Sequence, residues 1–97
     1  MAPILYRYTF APGVPVSELR DTLALAVIAT ESLHGESQAR LDLAHAYDAE
    51  KRAVVIDAST DVGRDLSRLF VGFVGREFGR GSFQVERVAA KLEPSTV

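Results

Sequence analysis

Two aspartates are the strongest candidates for chemistry in this chain of 97 residues. If Asp42 and Asp57 face each other on neighbouring strands, their carboxylates can share a proton or hold a divalent cation through oxygen ligands. An oxygen-only metal site usually needs more than two ligands, so we favour a solvated ladder of ion pairs. Arg7, Arg40 and Glu86 complete the polar set that can bind a small ligand.

The other catalytic side-chain types form no constellation. The absence of cysteine excludes disulfides, thiolate catalysis, iron–sulfur clusters and Cys-based zinc sites. His34 and His45 lack H-x-x-x-H or H-x-x-E spacing, and no serine lies in a G-x-S-x-G pattern. We interpret His34 as a residue that suits the dipole at a helix end, and His45 as part of an apolar strand face. The sequence therefore predicts no metal, no cofactor and no catalytic residue, and favours a protein that is not an enzyme.

Four arginines cluster around one predicted helix. Arg64 and Arg68 are one turn apart, and Arg76 and Arg80 lie near the helix end. An arginine pair can grip a phosphate or a carboxylate in bidentate geometry. Acidic residues are interleaved with these arginines, so we favour a solvated face of ion pairs over an anion site.

Two glycines interrupt the same helix at Gly72 and Gly75. Each destabilises a helix by roughly 1 kcal/mol relative to alanine, so a structural reason is needed. The simplest reason is the close approach of another backbone. The approaching element is either the first helix of the same chain or a second subunit.

Composition restricts the class of protein. Hydrophobic residues make up 47% and charged residues 25% of the chain, which is ordinary for a globular domain. A net charge of −2 argues against nucleic-acid binding. No apolar run approaches the ~20 residues of a membrane span. We expect a cytoplasmic protein, because the chain shows neither a leader nor a cysteine.

Hydrophobic periodicity and turn residues predict the element order β-α-β-β-α-β. This order resembles the split βαβ arrangement of ferredoxin-like folds. Right-handed crossovers then place both helices on one face of a four-stranded antiparallel sheet, with strand order 4-1-3-2. We expect one α+β domain over residues 1–90 and a flexible tail over 91–97. The predicted strands cover 4–10, 38–47, 52–58 and 83–88, and the helices cover 18–33 and about 61–78.

The hairpin between the second and third strands predicts which residues share a face. It places His45 opposite Val54, which brings Asp42 across from Asp57. Alternation then predicts a face covered by the helices and a face open to water. The covered face holds Tyr6, Tyr8, Phe10, Leu43, Ile56, Phe83 and Val85.

Both helices carry more apolar residues than one buried stripe requires. Leu25 and Ile28 project from the far side of the first helix, and Val71, Val74 and Phe78 form a second patch on the other. We therefore expect a small non-enzymatic interaction domain that self-associates as a homodimer or larger homo-oligomer. The alternative is a small regulator or enzyme that binds a ligand or cation on the open sheet face. A patch of small residues on that face is a second candidate interface: Ala44, Ala46, Ala53 and Val55.

Overall fold

Four strands and three α-helices follow one another along residues 4–88, the part of the chain that this computed structural model describes. The α+β class is confirmed, whereas the predicted number of two helices is wrong. The predicted tail, 91–97, lies outside the described residues. The strands are β1 (Leu5–Phe10), β2 (His45–Asp48), β3 (Ala53–Asp57) and β4 (Phe83–Val88), and the helices are α1 (Val16–His34), α2 (Glu36–Asp42) and α3 (Asp61–Phe78).

The four strands form one antiparallel sheet in the order β2-β3-β1-β4. This is the predicted order read from the opposite edge. Side chains alternate across β1, where Tyr8 and Phe10 are buried and Thr9 between them is exposed. The apolar side chains of the helices pack on the Tyr8 side of the sheet. The other side of the sheet carries none of the three helices' core residues.

The extra helix, α2, replaces most of the predicted second strand. It follows α1 after a single residue, Gly35, whose φ of 87° suits glycine. Arg40 donates to the Glu36 carboxylate at 2.7 Å, and Gln38 donates to the Asp42 carboxylate at 2.7 Å. Both bonds join residues four apart, which are neighbours on a helix and not on a strand.

The pairing of β2 with β3 differs from the predicted register by two residues. His45 lies opposite Ile56, and the backbone amide of Asp57 donates to the carbonyl of Ala44 at 2.9 Å. Asp42 is therefore not opposite Asp57, and the predicted carboxylate pair is wrong. A shift of two residues keeps every side chain on its original face, so the division of β3 into two faces is unaffected.

Phe70 of α3 lies at the centre of the core and is fully buried. Its ring centroid is 5.6 Å from that of Tyr8 and 5.9 Å from that of Phe10, both in edge-to-face geometry. The Tyr8 hydroxyl is hydrogen-bonded to the Ser67 hydroxyl, and burial raises the pKa of Tyr8. The core is completed by Val14, Leu19, Leu23, Ala26, Val54, Ile56, Leu66 and Val74.

The start of α3 is fixed by Thr60, one of three consecutive residues, Ser59, Thr60 and Asp61, whose types suit a helix N-cap. The Thr60 hydroxyl oxygen accepts a hydrogen bond from the Gly63 amide at 3.0 Å. The same hydroxyl donates to the carbonyl of Asp42 at 3.1 Å, which ties the end of α2 to the start of α3. One side chain therefore caps one helix and anchors another.

Candidate functional site

The predicted polar set is only partly brought together. Arg7 and Glu86 are direct partners on β1 and β4 and form an ion pair, with Nε 3.0 Å from Oε2. Asp57 lies on the same open face of the sheet, opposite Leu5. Arg40 and Asp42 lie on α2 instead of on the sheet. No group of three or more metal-ligating side chains occurs within residues 4–88.

The predicted helical interface residues divide between the surface and the core. Leu25, Ile28 and Val71 are 54%, 59% and 36% exposed. Val74 is fully buried, so its predicted place in an exposed patch is wrong. Phe78 is partly buried and packs against the core. The structure therefore leaves α1 with a larger free apolar surface than α3.

The predicted sheet patch is smaller than its four residues suggest. Ala46 is exposed and lies opposite the half-buried Val55. Ala44 is exposed just before β2 begins, whereas Ala53 is buried. The free apolar part of this face is therefore limited to a narrow strip.

A groove along α3 was not predicted as such. It consists of two adjoining depressions of about 500 Å³ each, which share Val71 and Gly72. Ile4, Tyr6 and Ala58 line the first depression and make it largely apolar. The exposed Val71 therefore lies inside a concave surface.

The four arginines of the sequence pattern all line this groove. Arg64 and Arg68 border the first depression, and Arg76 and Arg80 border the second. Each of the first two forms an ion pair with an aspartate three residues earlier. No carboxylate within residues 4–88 lies at ion-pairing distance from Arg76 or Arg80. The second depression is thus the more strongly electropositive of the two.

The mid-helix glycines form part of the groove wall. A Cβ atom placed on Gly72 would meet nothing within 4 Å, and one placed on Gly75 would meet only Cγ of Arg80, at 3.9 Å. The expectation that the first helix of the same chain approaches these glycines is therefore wrong. The two glycines, three residues apart in the middle of α3, are nevertheless the feature of the sequence that could have indicated this open surface.

A ridge of opposite character runs along the outside of α1. Glu18, Asp21, Leu25 and Ile28 follow one another at intervals of three and four residues, so they form one stripe along the helix. All four side chains are exposed. We call this stripe the α1 ridge; its first half is acidic and its second half is apolar.

The two histidines have different surroundings. His45 is exposed at the edge strand β2. His34, at the end of α1, donates from Nε2 to the carboxylate of Asp65 on α3 at 2.8 Å. That hydrogen bond, together with the charges of His34 and Arg68, holds the pKa of Asp65 below its usual value of 3.8. The pair links α1 to α3 at the surface of the helical layer.

The Asp65 contact gives the stability of the domain an acid dependence. Because the folded state holds the pKa of this carboxyl below 3.8, the carboxylate stabilises the folded state above that pH. The contribution is lost as the pH falls through the lower, folded-state pKa. We expect Asp65→Asn to be less stable than the wild type at neutral pH, and the difference to decrease as the pH falls below 3.8. Urea denaturation across this range measures the effect.

The matched control for the loss of one carboxylate is Glu50→Gln, in the exposed turn between β2 and β3. Its stability should follow that of the wild type at every pH. A stability difference for Asp65→Asn that stays constant down to pH 2 would contradict the assignment.

None of the described helices is long and apolar enough to cross a membrane. Comparison of the chain with the profiles of known protein families, with curated proteins and with solved structures gives no match.

Proposed function

We propose that this chain is a non-enzymatic protein-interaction domain that associates with further copies of itself. The observation that carries the proposal is the exposure of Leu25 and Ile28, two large aliphatic side chains that are more than half exposed and lie one turn apart. Leu33 on α1 and Leu41 on α2 are exposed to 66% and 79% and extend the apolar surface of these helices. Adjacent exposed apolar side chains such as Leu25 and Ile28 mark an interaction site more often than scattered single residues do.

The energetic scale supports an interface. Complete burial of one large aliphatic side chain contributes roughly 1.5–3 kcal/mol. Leu25 and Ile28 together can therefore contribute several kcal/mol, before the loss of translational and rotational freedom is subtracted. The two side chains alone give roughly 3–6 kcal/mol, less than the about 8 kcal/mol of a micromolar complex, so a stable interface needs further apolar and polar contacts.

The alternative of a ligand-binding or catalytic site on the open sheet face has weaker support. It depends on Asp42, Arg40 and Asp57 acting together with Arg7 and Glu86. Of these, only Arg7 and Glu86 are in contact. The strip around Ala46 and Val55 remains a second, smaller candidate for protein contact.

We also propose a ferredoxin-like sandwich as the fold. The order β1-α1-β2-β3-α3-β4 and the sheet order β2-β3-β1-β4 support it. The inserted helix α2 is then an addition between α1 and β2.

Sedimentation equilibrium over micromolar to millimolar concentration tests self-association. We expect the wild type to form species larger than 10.5 kDa, and the double variant Leu25→Asp/Ile28→Asp to remain a monomer. Two carboxylates at these positions remove the apolar contact and cannot be buried without large desolvation.

The control variant is Gln84→Asp, which adds a carboxylate on the exposed open face of the sheet at β4. It should associate like the wild type. A wild type that stays at 10.5 kDa over the whole concentration range would overturn the proposed function.

A further inference from the structure

We infer that the arginine-lined groove of α3 receives the α1 ridge of a second copy of this chain. The inference rests on the proposed function and names the two surfaces that meet. Four properties favour this occupant over an unrelated partner: the open groove, matching apolar surface, opposite charge and spacing.

The groove has room for a helix. It is concave, and the wall at Gly72 and Gly75 carries no side chains. On the α1 ridge, Leu25 and Ile28 are more than half exposed, and Glu18, Asp21 and Leu25 border a shallow depression together with Glu77 of α3. Absence of side chains at the glycines allows the backbone of a second helix to approach closely.

The apolar parts of the two surfaces also match. Val71 and Tyr6 line the first depression of the groove, beside Ile4 and Ala58. In the proposed contact, Leu25 of the second copy would cover Val71, which is 36% exposed in the single chain. Both copies would then bury apolar surface that the isolated chain leaves in water.

The charges have opposite signs. Arg76 and Arg80 border the second depression and have no carboxylate partner within residues 4–88. Glu18 and Asp21 are exposed at the first half of the α1 ridge and likewise form no ion pair within the described part of the chain. An Arg–carboxylate pair can form two parallel hydrogen bonds, which fixes the direction of the docked helix.

The spacing of charge and apolar surface agrees on both sides. On α1, the acidic pair precedes the pair Leu25 and Ile28 by seven residues, or about 10 Å along the helix. On the groove side, Arg76 follows Val71 by five residues of α3, or about 8 Å along the helix, and Arg80 lies beyond the helix end and borders the same depression. Leu25 and Ile28 can therefore lie over the apolar depression while Glu18 and Asp21 reach the arginines.

Reversal of the charges on each side tests the contact. The groove variant is Arg76→Glu/Arg80→Glu, and the ridge variant is Glu18→Arg/Asp21→Arg. Each variant alone places like charges on both surfaces, so we expect its self-association to weaken roughly tenfold or more. An equimolar mixture pairs each reversed surface with an opposite charge and should recover association to within about threefold of the wild type. Sedimentation equilibrium measures all three samples.

The controls reverse single charges elsewhere on the surface. Lys51→Glu lowers the net charge, as the groove variant does, and Glu50→Arg raises it, as the ridge variant does. Both changes lie in the turn between β2 and β3 and should leave association unchanged. Circular dichroism confirms that each variant is folded. If a double variant is not folded, the single changes Arg80→Glu and Asp21→Arg replace the double ones in the same mixing experiment.

The outcomes separate this inference from the proposed function. Weakened association of both variants with recovery in the mixture supports the contact. If the wild type associates and the variants associate equally well, the proposed contact is wrong but self-association stands. The same holds if the variants associate weakly and their mixture does not recover. A monomeric wild type overturns both.

Discussion

Replacement of Phe70 by alanine is expected to lower the free energy of unfolding by about 4 kcal/mol. Phe70 is fully buried, and its ring packs edge-to-face on Tyr8 and Phe10. The substitution removes the largest fully buried side chain and leaves a cavity that the aromatic neighbours can fill only in part. It also removes two aromatic contacts, each worth roughly 1 kcal/mol beyond burial. Urea denaturation followed by circular dichroism measures the change.

The size of this effect should bring the domain close to its stability limit, because small domains have a total free energy of unfolding of about 5–15 kcal/mol. Val71→Ala is the control, since it truncates the adjacent residue, which is partly exposed. Its effect should stay within about 0.5 kcal/mol at concentrations where the chain is monomeric. Equal losses for the two variants would contradict the position of Phe70 at the centre of the core.

The second large effect is expected at Gly63, where alanine should destabilise the domain by about 3 kcal/mol. A Cβ atom at this position would overlap the carbonyl oxygen of Asp57 and lie 3.0 Å from its carbonyl carbon. The obstacle is backbone, so it cannot move aside as a flexible side chain would. Relief requires a shift of the start of α3 away from β3, which also weakens the hydrogen bond between Gly63 and Thr60.

Gly72→Ala provides the matched control in the same helix. Its Cβ would meet nothing within 4 Å, so the change should stabilise the monomer by about 1 kcal/mol, the difference in helix propensity between the two residues. Thermal denaturation of both variants at low protein concentration gives the comparison. A neutral or stabilising Gly63→Ala would show that β3 and α3 are not in close contact at this point.

Six of the seven strands and α-helices were predictable from the sequence because their signals are local, and the sheet order followed from the rule of right-handed crossovers. Alternation in β1, the run of apolar residues in β3 and the cap at Thr60 each act within a few residues. The start of β2 was not predictable in the same way. The alternation of Leu41 and Leu43 with polar residues is typical of a strand. Gly35 and the hydrogen-bonded pairs Glu36–Arg40 and Gln38–Asp42, whose members are four residues apart, favour a helix. The tertiary bond from Thr60 to the Asp42 carbonyl supports the helix and is invisible in the sequence.

The rotation of α3 about its axis explains why Val74 was misplaced. The spacing of the apolar residues predicts a buried stripe of five residues: Val62, Leu66, Leu69, Phe70 and Phe73. In the structure the buried face also includes Gly63 and Ser67, and with them Val74. Gly63 is buried because it touches the end of β3, and Ser67 because its hydroxyl bonds to Tyr8. Neither residue is apolar, so the periodicity of apolar residues did not indicate that this side of the helix is buried.

For the candidate site, the residue types could be predicted from the sequence, but not which of these residues lie together on one surface. Leu25 and Ile28 were predictable as exposed because α1 has a regular period. The groove required the relative positions of α3, β1 and the turn at Arg80–Ser82, which are set by tertiary packing. The arginines and glycines of α3 were recognised singly, and only the fold places them on one concave surface.

The short β2 strand has a consequence for how copies of this chain can meet. With α2 in place of a longer strand, one edge of the sheet offers a backbone of only four residues, His45–Asp48. The opposite edge, β4, is longer but carries Gln84, Glu86 and Arg87 as exposed polar side chains. Short and charged edges are poor templates for the addition of a strand from another molecule. Addition of a strand from another molecule is therefore disfavoured at both edges of this sheet.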